Sequence, residues 1–231
     1  MGEQIPRTRR TPSGSCLAVD AFHERLARTG LAAAERYGFA LAGGYAVQAA
    51  GLLVRPSEDI DLFTGWERRA EFTAAVDAVI DAYLAEGLSV ETERYHDAFI
   101  RLSVSDGERT SKVELAVDSR ANEPIQMSIG PVLHPDDAVT NKMTALYARA
   151  LARDFIDIDA AVQSGRYDRE ALMQLAERGE LAFDRRVFAD ALAQVQNLDP
   201  DDFAEYGIVG QSLDDLRTRF ATWRQDLLGN T

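Results

Sequence analysis

Residues 41–46 read LAGGYA and residues 55–63 read RPSEDIDLF, and these two stretches decide the fold. The first is the end of an apolar strand followed by a glycine pair, which predicts a tight turn into a short helix. In the second, Asp59 and Asp61 are two residues apart, so on a strand both point to one face while Ile60 and Leu62 point into a core. Paired carboxylates beside a glycine turn at a helix start suggest Mg²⁺ holding a phosphorylated substrate.

The composition is that of one large or two small globular domains. The chain has 231 residues, of which 46% are hydrophobic and 27% charged, enough for a buried core. No apolar run approaches the roughly 20 residues that cross a bilayer, and no apolar segment follows Arg9-Arg10, so we expect neither a membrane protein nor an exported one. Cys16 is the only cysteine, which excludes an internal disulfide and a cysteine-rich zinc site. We therefore expect a cytoplasmic protein.

The charge argues against a general nucleic-acid-binding module. The net charge is −13, with 38 acidic and 25 basic residues, whereas proteins that neutralise many phosphates are usually basic. A local basic groove, or an enzyme that holds one nucleotide through a metal, stays possible. Only Lys112 and Lys142 among the basic residues are lysines. Unless this is chance, a lysine kept against such a preference for arginine indicates a need for a compact point charge.

The order of predicted elements divides the chain into a tail, an α/β part and a helical part. Residues 1–16 are rich in Arg, Thr, Pro, Gly and Ser and predict a flexible tail. Residues 17–134 predict helices at 17–37 (which Gly30 can split), 45–52 and 66–85, and strands at 39–42, 59–65, 88–94, 97–105, 110–118 and 125–133. Residues 135–231 predict helices: one capped by Asp136 or Asp137 to about 152, its continuation or restart at 153–163, and others near 168–178, 184–195 and 212–228. The fold class is α/β (α+β), followed by an all-helical domain.

A third carboxylate can join the pair on the strand. In residues 110–118 the apolar positions alternate, so Glu114 and Lys112 share the face opposite Val113 and Leu115. If this strand lies beside the one that carries Asp59 and Asp61, three like charges become neighbours and a divalent cation is the natural way to neutralise them. Such sites clamp a triphosphate and activate an attacking hydroxyl, with the third acid as ligand or general base.

Basic residues on the later helices supply the opposite charge. Lys142, Arg149 and Arg153 are spaced i, i+7 and i+11, which predicts one stripe on a continuous helix. A basic ridge facing an acidic metal site is what a nucleoside triphosphate pocket between two domains requires. Arg153 and Asp157 are spaced for an i,i+4 ion pair, and Asp154 can brace Lys142 or the helix junction. Structural and functional roles stay open for both aspartates.

Taken together, three ordered motifs resemble a known family. They are GG-x-A at residues 43–46, RPS-x-D-x-D-LF at 55–63, and K-x-x-AL-x-x-R-x-x-x-RD-x-x-D at 142–157. The set resembles the nucleotidyltransferase superfamily that includes DNA polymerase β. It is most similar to the AbiEii/AbiGii-type nucleotidyltransferase toxins of bacterial abortive-infection and toxin–antitoxin systems. The resemblance covers about residues 39–165, and residues 168–231 carry no recognised motif.

The resemblance implies a fold, a metal and a reaction. Family members have a polymerase-β-like palm with a mixed sheet and a helical domain, use Mg²⁺ (or Mn²⁺), and transfer a nucleoside monophosphate from an NTP, in some cases to the 3′ end of tRNA. It also implies a cognate antitoxin protein as partner. The residues carried over are Asp59, Asp61, Glu114 and Lys142 as catalytic, the first three of them as metal ligands, and Gly43, Gly44, Tyr45, Arg55, Ser57, Lys142, Arg149, Arg153, Asp154 and Asp157 as nucleotide-binding.

Two other functions fit the same residues. An aminoglycoside-type adenylyltransferase would pair an acidic cleft with a cationic acceptor, which suits the net charge. The sequence also departs from the family: Tyr45 stands where Ser or Thr is common, and Glu114 where Asp is frequent. These departures favour a third hypothesis, a catalytically silent nucleotide-binding or interaction module.

Overall fold

A computed structural model of the protein describes residues 20–52, 57–179 and 182–229. The helices are α1 (Ala21–Ala33), α2 (Gly43–Ala49), α3 (Phe72–Ala85), α4 (Pro135–Arg149), α5 (Ala152–Gln163), α6 (Arg169–Gly179), α7 (Arg185–Ala193), α8 (Pro200–Ala204) and α9 (Gln211–Gly229). The strands are β1 (Ala40–Leu41), β2 (Asp59–Gly65), β3 (Ser89–His96), β4 (Phe99–Ser105), β5 (Thr110–Asp118), β6 (Ile125–Met127) and β7 (Gly130–Val132). The predicted tail at 1–16 and the predicted nucleotide contact Arg55 lie outside the described residues.

The strands form one mixed sheet in the order β3-β4-β5-β2-β1-β7-β6. The pairs β2–β5 and β1–β7 are parallel, and the other neighbours are antiparallel. The strands end at Val132 and the described chain from Pro135 onward is helical, so the predicted α/β class with a helical second part is confirmed. The domain boundary at 134/135 stays a prediction. Helix α4, from the helical part, packs directly on α2, from the α/β part.

The apolar face of β2 anchors this arrangement. Ile60 and Leu62 alternate with the aspartates and are fully buried, and each such side chain contributes about 1.5–3 kcal/mol to folding. Gly30 lies inside α1 and does not split it, contrary to the sequence-based expectation. A Cβ at Gly30 would come within 2.6 Å of the Leu62 side chain and 2.7 Å of the Tyr83 hydroxyl. The glycine therefore lets α1 approach β2 and α3 closely.

Two further local predictions need correction. The stretch 125–133 is not one strand, because Gly130, at φ +130°, turns the chain and makes β6 and β7 a hairpin. The cap of α4 is neither Asp136 nor Asp137: the His134 ring nitrogen accepts the amide hydrogen of Asp136 at 3.2 Å. Asp137 accepts instead from the amides of Ala121 and Asn122, both at 3.0 Å.

The helical run from 135 to 163 is broken between α4 and α5. Ala150 has φ +49°, the left-handed conformation that ends helices, and Leu151 is extended. Arg153 therefore lies in the first turn of a second helix, and the stripe predicted for one continuous helix is wrong. The two helices nevertheless meet at the same cavity.

The C-terminal helices contribute aromatic side chains to the one hydrophobic core that the described residues share. Phe155 of α5 packs edge-on against Phe220 of α9 at 5.0 Å between ring centroids, and Phe188 packs against Trp223 at 5.5 Å. Arg219 makes a two-point ion pair with Asp159, at 2.6 and 2.7 Å, which ties α9 to α5. In the described part of the chain, each helix is too short or too polar to cross a bilayer.

Candidate active site

A cavity of about 190 Å³ lies where β2, β5 and β4 face α4 and α5. It is lined by Gly43, Gly44, Ser57, Glu58, Asp59, Asp61, Phe63, Arg101, Glu114, Asn141, Lys142, Ala145, Arg149 and Arg153. Most of the residues singled out in the sequence thus line one space. A larger cavity, about 1060 Å³, lies between α1 and the β6–β7 hairpin and is lined by none of them. We place the candidate site in the smaller cavity because the carboxylates and cations converge there.

Strand register brings the three acids together. In the parallel pair β2–β5, Asp61 lies opposite Glu114 and Asp59 lies opposite Lys112. Burial and the charge of Glu114 raise the pKa of Asp59 above its ordinary value. The same two causes, in the same order, raise the pKa of Asp61 to about 7, although Lys142 opposes the shift. The site therefore holds more negative charge than its own cations neutralise, which is the condition that attracts a divalent metal.

The fit to a metal is good for the two aspartates and incomplete for Glu114. The Glu114 carboxylate accepts from Arg101, at 2.7 Å from Nε and 2.5 Å from Nη2. Across residues 20–52, 57–179 and 182–229, no three acidic, histidine or cysteine side chains converge closely enough to hold a metal ion. Asp59 and Asp61, which share one strand face, remain the candidate ligands, and Glu114 stands beside them bound to an arginine.

The glycine pair is required by close packing. Gly43 has φ +56°, and a Cβ there would lie 1.6 Å from Oδ2 of Asp61. A Cβ on Gly44 would lie 2.5 Å from the Ser57 hydroxyl, which itself donates to the carbonyl of Asp59 at 3.1 Å. Only residues without side chains let the start of α2 lie directly against the carboxylate-bearing strand.

Tyr45, expected among the nucleotide contacts, lies in the core instead. It is 2% exposed, and its hydroxyl lies 2.6 Å from Nδ1 of His23, whose Nε2 lies 2.9 Å from the Ser111 hydroxyl. Burial raises the pKa of Tyr45 to about 12 and lowers the pKa of His23. The Tyr45 side chain contacts His23 of α1, which in turn reaches Ser111 of β5, so the departure from Ser or Thr serves packing.

Two cations of the cavity are held by buried aspartates. Nζ of Lys142 lies 2.7 Å from Asp157, whose side chain is fully buried. Arg149 donates twice to the fully buried Asp154, at 2.8 and 2.9 Å, and the amide of Leu151 donates to the same carboxylate. Asp154 and Asp157, expected as nucleotide contacts, therefore stand behind the cavity and orient its cations.

The third predicted cation has a partner at the rim. Arg153, which its spacing would pair with Asp157, lies 3.5 Å from Glu58, and the Tyr206 hydroxyl donates to the same carboxylate at 2.6 Å. Glu58 is 52% exposed and belongs to the segment just before β2. The loop next to Asp59 is thereby joined to α5 and to the chain after α8.

Sequence reasoning missed Arg101 and Glu58. Arg101 could have been found, because the hairpin turn at Asp106-Gly107 places Ser105 opposite Thr110 and hence Arg101 opposite Glu114. Glu58 carries no comparable signal, since its partners come from distant helices. The other unpredicted lining residues, Phe63, Asn141 and Ala145, are neighbours of predicted ones on β2 and α4.

Comparison with known proteins agrees with this geometry. The family model described as "Nucleotidyl transferase AbiEii toxin, Type IV TA system" matches residues 25–229. No curated protein matches the sequence.

Several solved structures share the fold. A candidate nucleotidyltransferase from Helicobacter pylori superposes with a TM-score of 0.56 at 18% identity, covering 89% of this chain and 93% of that one. MenT4, a nucleotidyltransferase toxin from Mycobacterium tuberculosis, superposes with a TM-score of 0.51 at 17% identity, covering 90% and 86%. JHP933 from Helicobacter pylori gives 0.50 at 19% identity, covering 92% and 96%. The family match spans nearly all of the described chain, so the protein belongs to the AbiEii family of nucleotidyltransferase toxins of toxin–antitoxin systems.

Proposed function

We propose that the protein transfers a nucleoside monophosphate from an NTP to a hydroxyl group of tRNA, with Mg²⁺ bound by Asp59 and Asp61. The observation that carries the proposal is the register of β2 and β5, which sets Asp61 opposite Glu114 beneath a set of cations. Bound Mg²⁺ would neutralise the triphosphate and the developing charge. The family relationship supports an NTP substrate and an antitoxin partner.

The chain's own residues divide the work of binding and proton transfer. The Gly43-Gly44 turn lets the start of α2 lie directly against Asp61 and Ser57, and the Ser57 hydroxyl would be a donor for a phosphate oxygen beside the metal. Lys142 and Arg149 are held in place for the phosphates by their buried partners. In the reaction the acceptor oxygen would bond to the α-phosphorus, the bond to pyrophosphate would break, and Glu114, released from Arg101, would take the hydroxyl proton.

The identity of the acceptor rests on the family relationship, because the charge of the cavity does not select it. Arg101, Lys142, Arg149 and Arg153 line the cavity, but each has a carboxylate partner, and Asp59 and Asp61 add two further acids. The family of toxins favours tRNA over the aminoglycoside-type reaction, and a cytoplasmic location goes with that substrate.

Transfer of label tests the proposal against both alternatives. The protein is incubated with each of the four α-labelled NTPs, Mg²⁺ and total tRNA, and in parallel with kanamycin. We expect label on tRNA, none on kanamycin, and none when EDTA removes the metal. Label on kanamycin alone would establish the adenylyltransferase, and NTP binding without transfer to either acceptor would establish the silent module.

A further inference from the structure

The sheet face that carries Asp59 and Asp61 continues, row by row, to the edge of the sheet. The row of Asp61 passes through Glu114 on β5 and Arg101 on β4 to Arg94 on β3. At about 4.8 Å between neighbouring strands, Arg94 lies about 14 Å from Asp61. Helices α4 and α5 face the β2 end of this surface, while Arg94 at the other end is exposed.

The rows on either side add aromatic rings and another cation. On one side Phe99 lies opposite both Ala116 and His96, and the rings of Phe99 and His96 are 6.5 Å apart. On the other side Ser103 lies opposite Lys112, which is exposed and adjoins Asp59. We call Arg94, His96, Phe99, Ser103 and Lys112 the β3–β5 face.

The β3–β5 face offers two cations that have no ion-pair partner. In the described chain no carboxylate lies within ion-pair distance of Arg94 or Lys112. Acids lie close by: Glu91 is opposite Ser103, and Glu93, at the bulge that precedes Arg94 on β3, acts on Arg101 electrostatically. Arginine and lysine beside stackable rings are the groups that hold phosphates and unpaired bases of a single strand.

The direction of the reaction selects this side for the acceptor. The glycine turn lies on the β1 side of β2, whereas β5, β4 and β3 lie on the opposite side of β2. In phosphoryl transfer the attacking and leaving oxygens are roughly in line. If pyrophosphate leaves toward the glycine turn and the helix cations, the attacking hydroxyl arrives from over β5.

We propose that the β3–β5 face is the acceptor surface, and that it binds the unpaired end of a polynucleotide with bases against His96 and Phe99 and phosphates near Arg94 and Lys112. This inference rests on the proposed function and adds where the acceptor lies and which groups recognise it. Its occupant is an unpaired strand because an exposed sheet with two rings offers stacking to splayed bases and no groove to fit a duplex.

The test compares two exposed substitutions on this face with one elsewhere. Arg94→Glu and His96→Ala alter exposed side chains on the edge strand, and Arg186→Glu on α7 is the matched control. We measure binding of a fluorescent single-stranded oligoribonucleotide by anisotropy, the KM for tRNA in the transfer assay, and NTP affinity by calorimetry. We expect RNA binding to weaken about tenfold in Arg94→Glu, with a salt slope lower by at least about one, and about fivefold in His96→Ala.

The readouts separate failure of this inference from failure of the proposed function. NTP affinity should stay unchanged in all three variants, and Arg186→Glu should match the wild type throughout. Equal RNA binding by Arg94→Glu, His96→Ala and Arg186→Glu would overturn the β3–β5 face as the acceptor surface, even if the wild type modifies tRNA. RNA binding that is lost in the two face variants, without transfer by the wild type, would keep the surface and reject the reaction.

Discussion

Two ion pairs behind the cavity and one at its rim use the same chemical groups in different surroundings. Behind it, the partners of Lys142 and Arg149 are the fully buried carboxylates of Asp157 and Asp154. At the rim, Arg153 meets Glu58, which is half exposed. The first two pairs are built into the fold, whereas Arg153 and Glu58 can exchange each other for phosphate or metal.

The contrast follows from desolvation. Breaking a buried pair leaves a charge without water or a partner, which costs about 3–5 kcal/mol, while an exposed pair contributes about 0–1 kcal/mol. A nucleotide can therefore displace Glu58 from Arg153 at little cost. The cavity thus contains two cations, Lys142 and Arg149, whose partners are built into the fold, and one, Arg153, whose partner a ligand can replace. The substitutions below test the two kinds of ion pair separately.

The largest effect should follow from Asp157→Asn. The substitution leaves Lys142 nearly buried beside a neutral amide, so we expect the free energy of unfolding to fall by about 3 kcal/mol, the lower end for a broken buried pair because asparagine still hydrogen-bonds. Urea unfolding followed by circular dichroism measures the change. A loss no larger than that of Glu58→Gln would remove the distinction between buried and rim pairs.

A smaller loss should follow from Asp154→Asn. Its carboxylate holds Arg149 and also accepts the amide hydrogen of Leu151 at the start of α5. Because Arg149 is 44% exposed and the asparagine oxygen can still accept one hydrogen bond, we expect a loss of about 1–2 kcal/mol in the same urea experiment, the cost of one or two hydrogen bonds. A destabilisation equal to that of Asp157→Asn would show that Arg149 depends on its partner as strongly as Lys142 does.

The pH dependence of stability reports on the acidic side of the cavity. The folded pKa of Asp61, about 7, exceeds its ordinary value of 3.8, so the folded state holds a proton there that the unfolded state has lost. Stability should therefore fall as the pH rises from about 4 to 7. From pH 5.5 to 7.5 the loss is about 2 kcal/mol, so we expect the Tm to drop by about 4–8 °C without metal.

Asp61→Asn is the control for that measurement. The amide cannot ionise, so the Tm of the variant should fall much less than that of the wild type between pH 5.5 and 7.5. At pH 7.5, Mg²⁺ should raise the Tm of the wild type more than that of the variant. Equal slopes in the two proteins would mean that Asp61 does not carry the raised pKa.

The smallest effect should come from Glu58→Gln at the rim. Releasing Arg153 should leave stability within about 0.5 kcal/mol and tighten binding of Mg²⁺–NTP by at most about fivefold, since an exposed pair contributes no more than about 1 kcal/mol. Calorimetric titration gives the affinity. Weaker binding in the variant would indicate that Glu58 contacts the nucleotide or its metal and does not compete with it.

Much of the acidic side of the site was predictable because strand periodicity is local. The alternation around Asp59 and Asp61 fixes the face of β2, and the alternation around Glu114 fixes that of β5. That the two strands lie side by side stayed a hypothesis at the level of sequence, since it depends on a parallel pairing of Asp61 with Glu114, 53 positions further along the chain.

The basic side was less predictable because it depends on partners distant in sequence and on one backbone torsion. The left-handed Ala150 splits the predicted helix, which changes the face that carries Arg153. The partner of Glu58 after α8, Tyr206, lies 148 residues away, and no spacing indicates such a contact. The burial of Tyr45 likewise depends on His23, which the sequence presents as an isolated histidine.

The activity of Asp61→Asn shows whether the two aspartates on β2 form the centre of a nucleotidyltransferase site. The quantity measured is the transfer of label from NTP to tRNA. Because ionised Asp61 is disfavoured by burial and by Glu114, the isosteric amide should leave the protein folded. With labelled NTP, Mg²⁺ and tRNA, we expect the wild type and Arg186→Glu to transfer label alike and Asp61→Asn to be slower by at least about 100-fold, since loss of residues that merely support a metal ligand costs 10–100-fold. Undiminished transfer by folded Asp61→Asn would contradict the account.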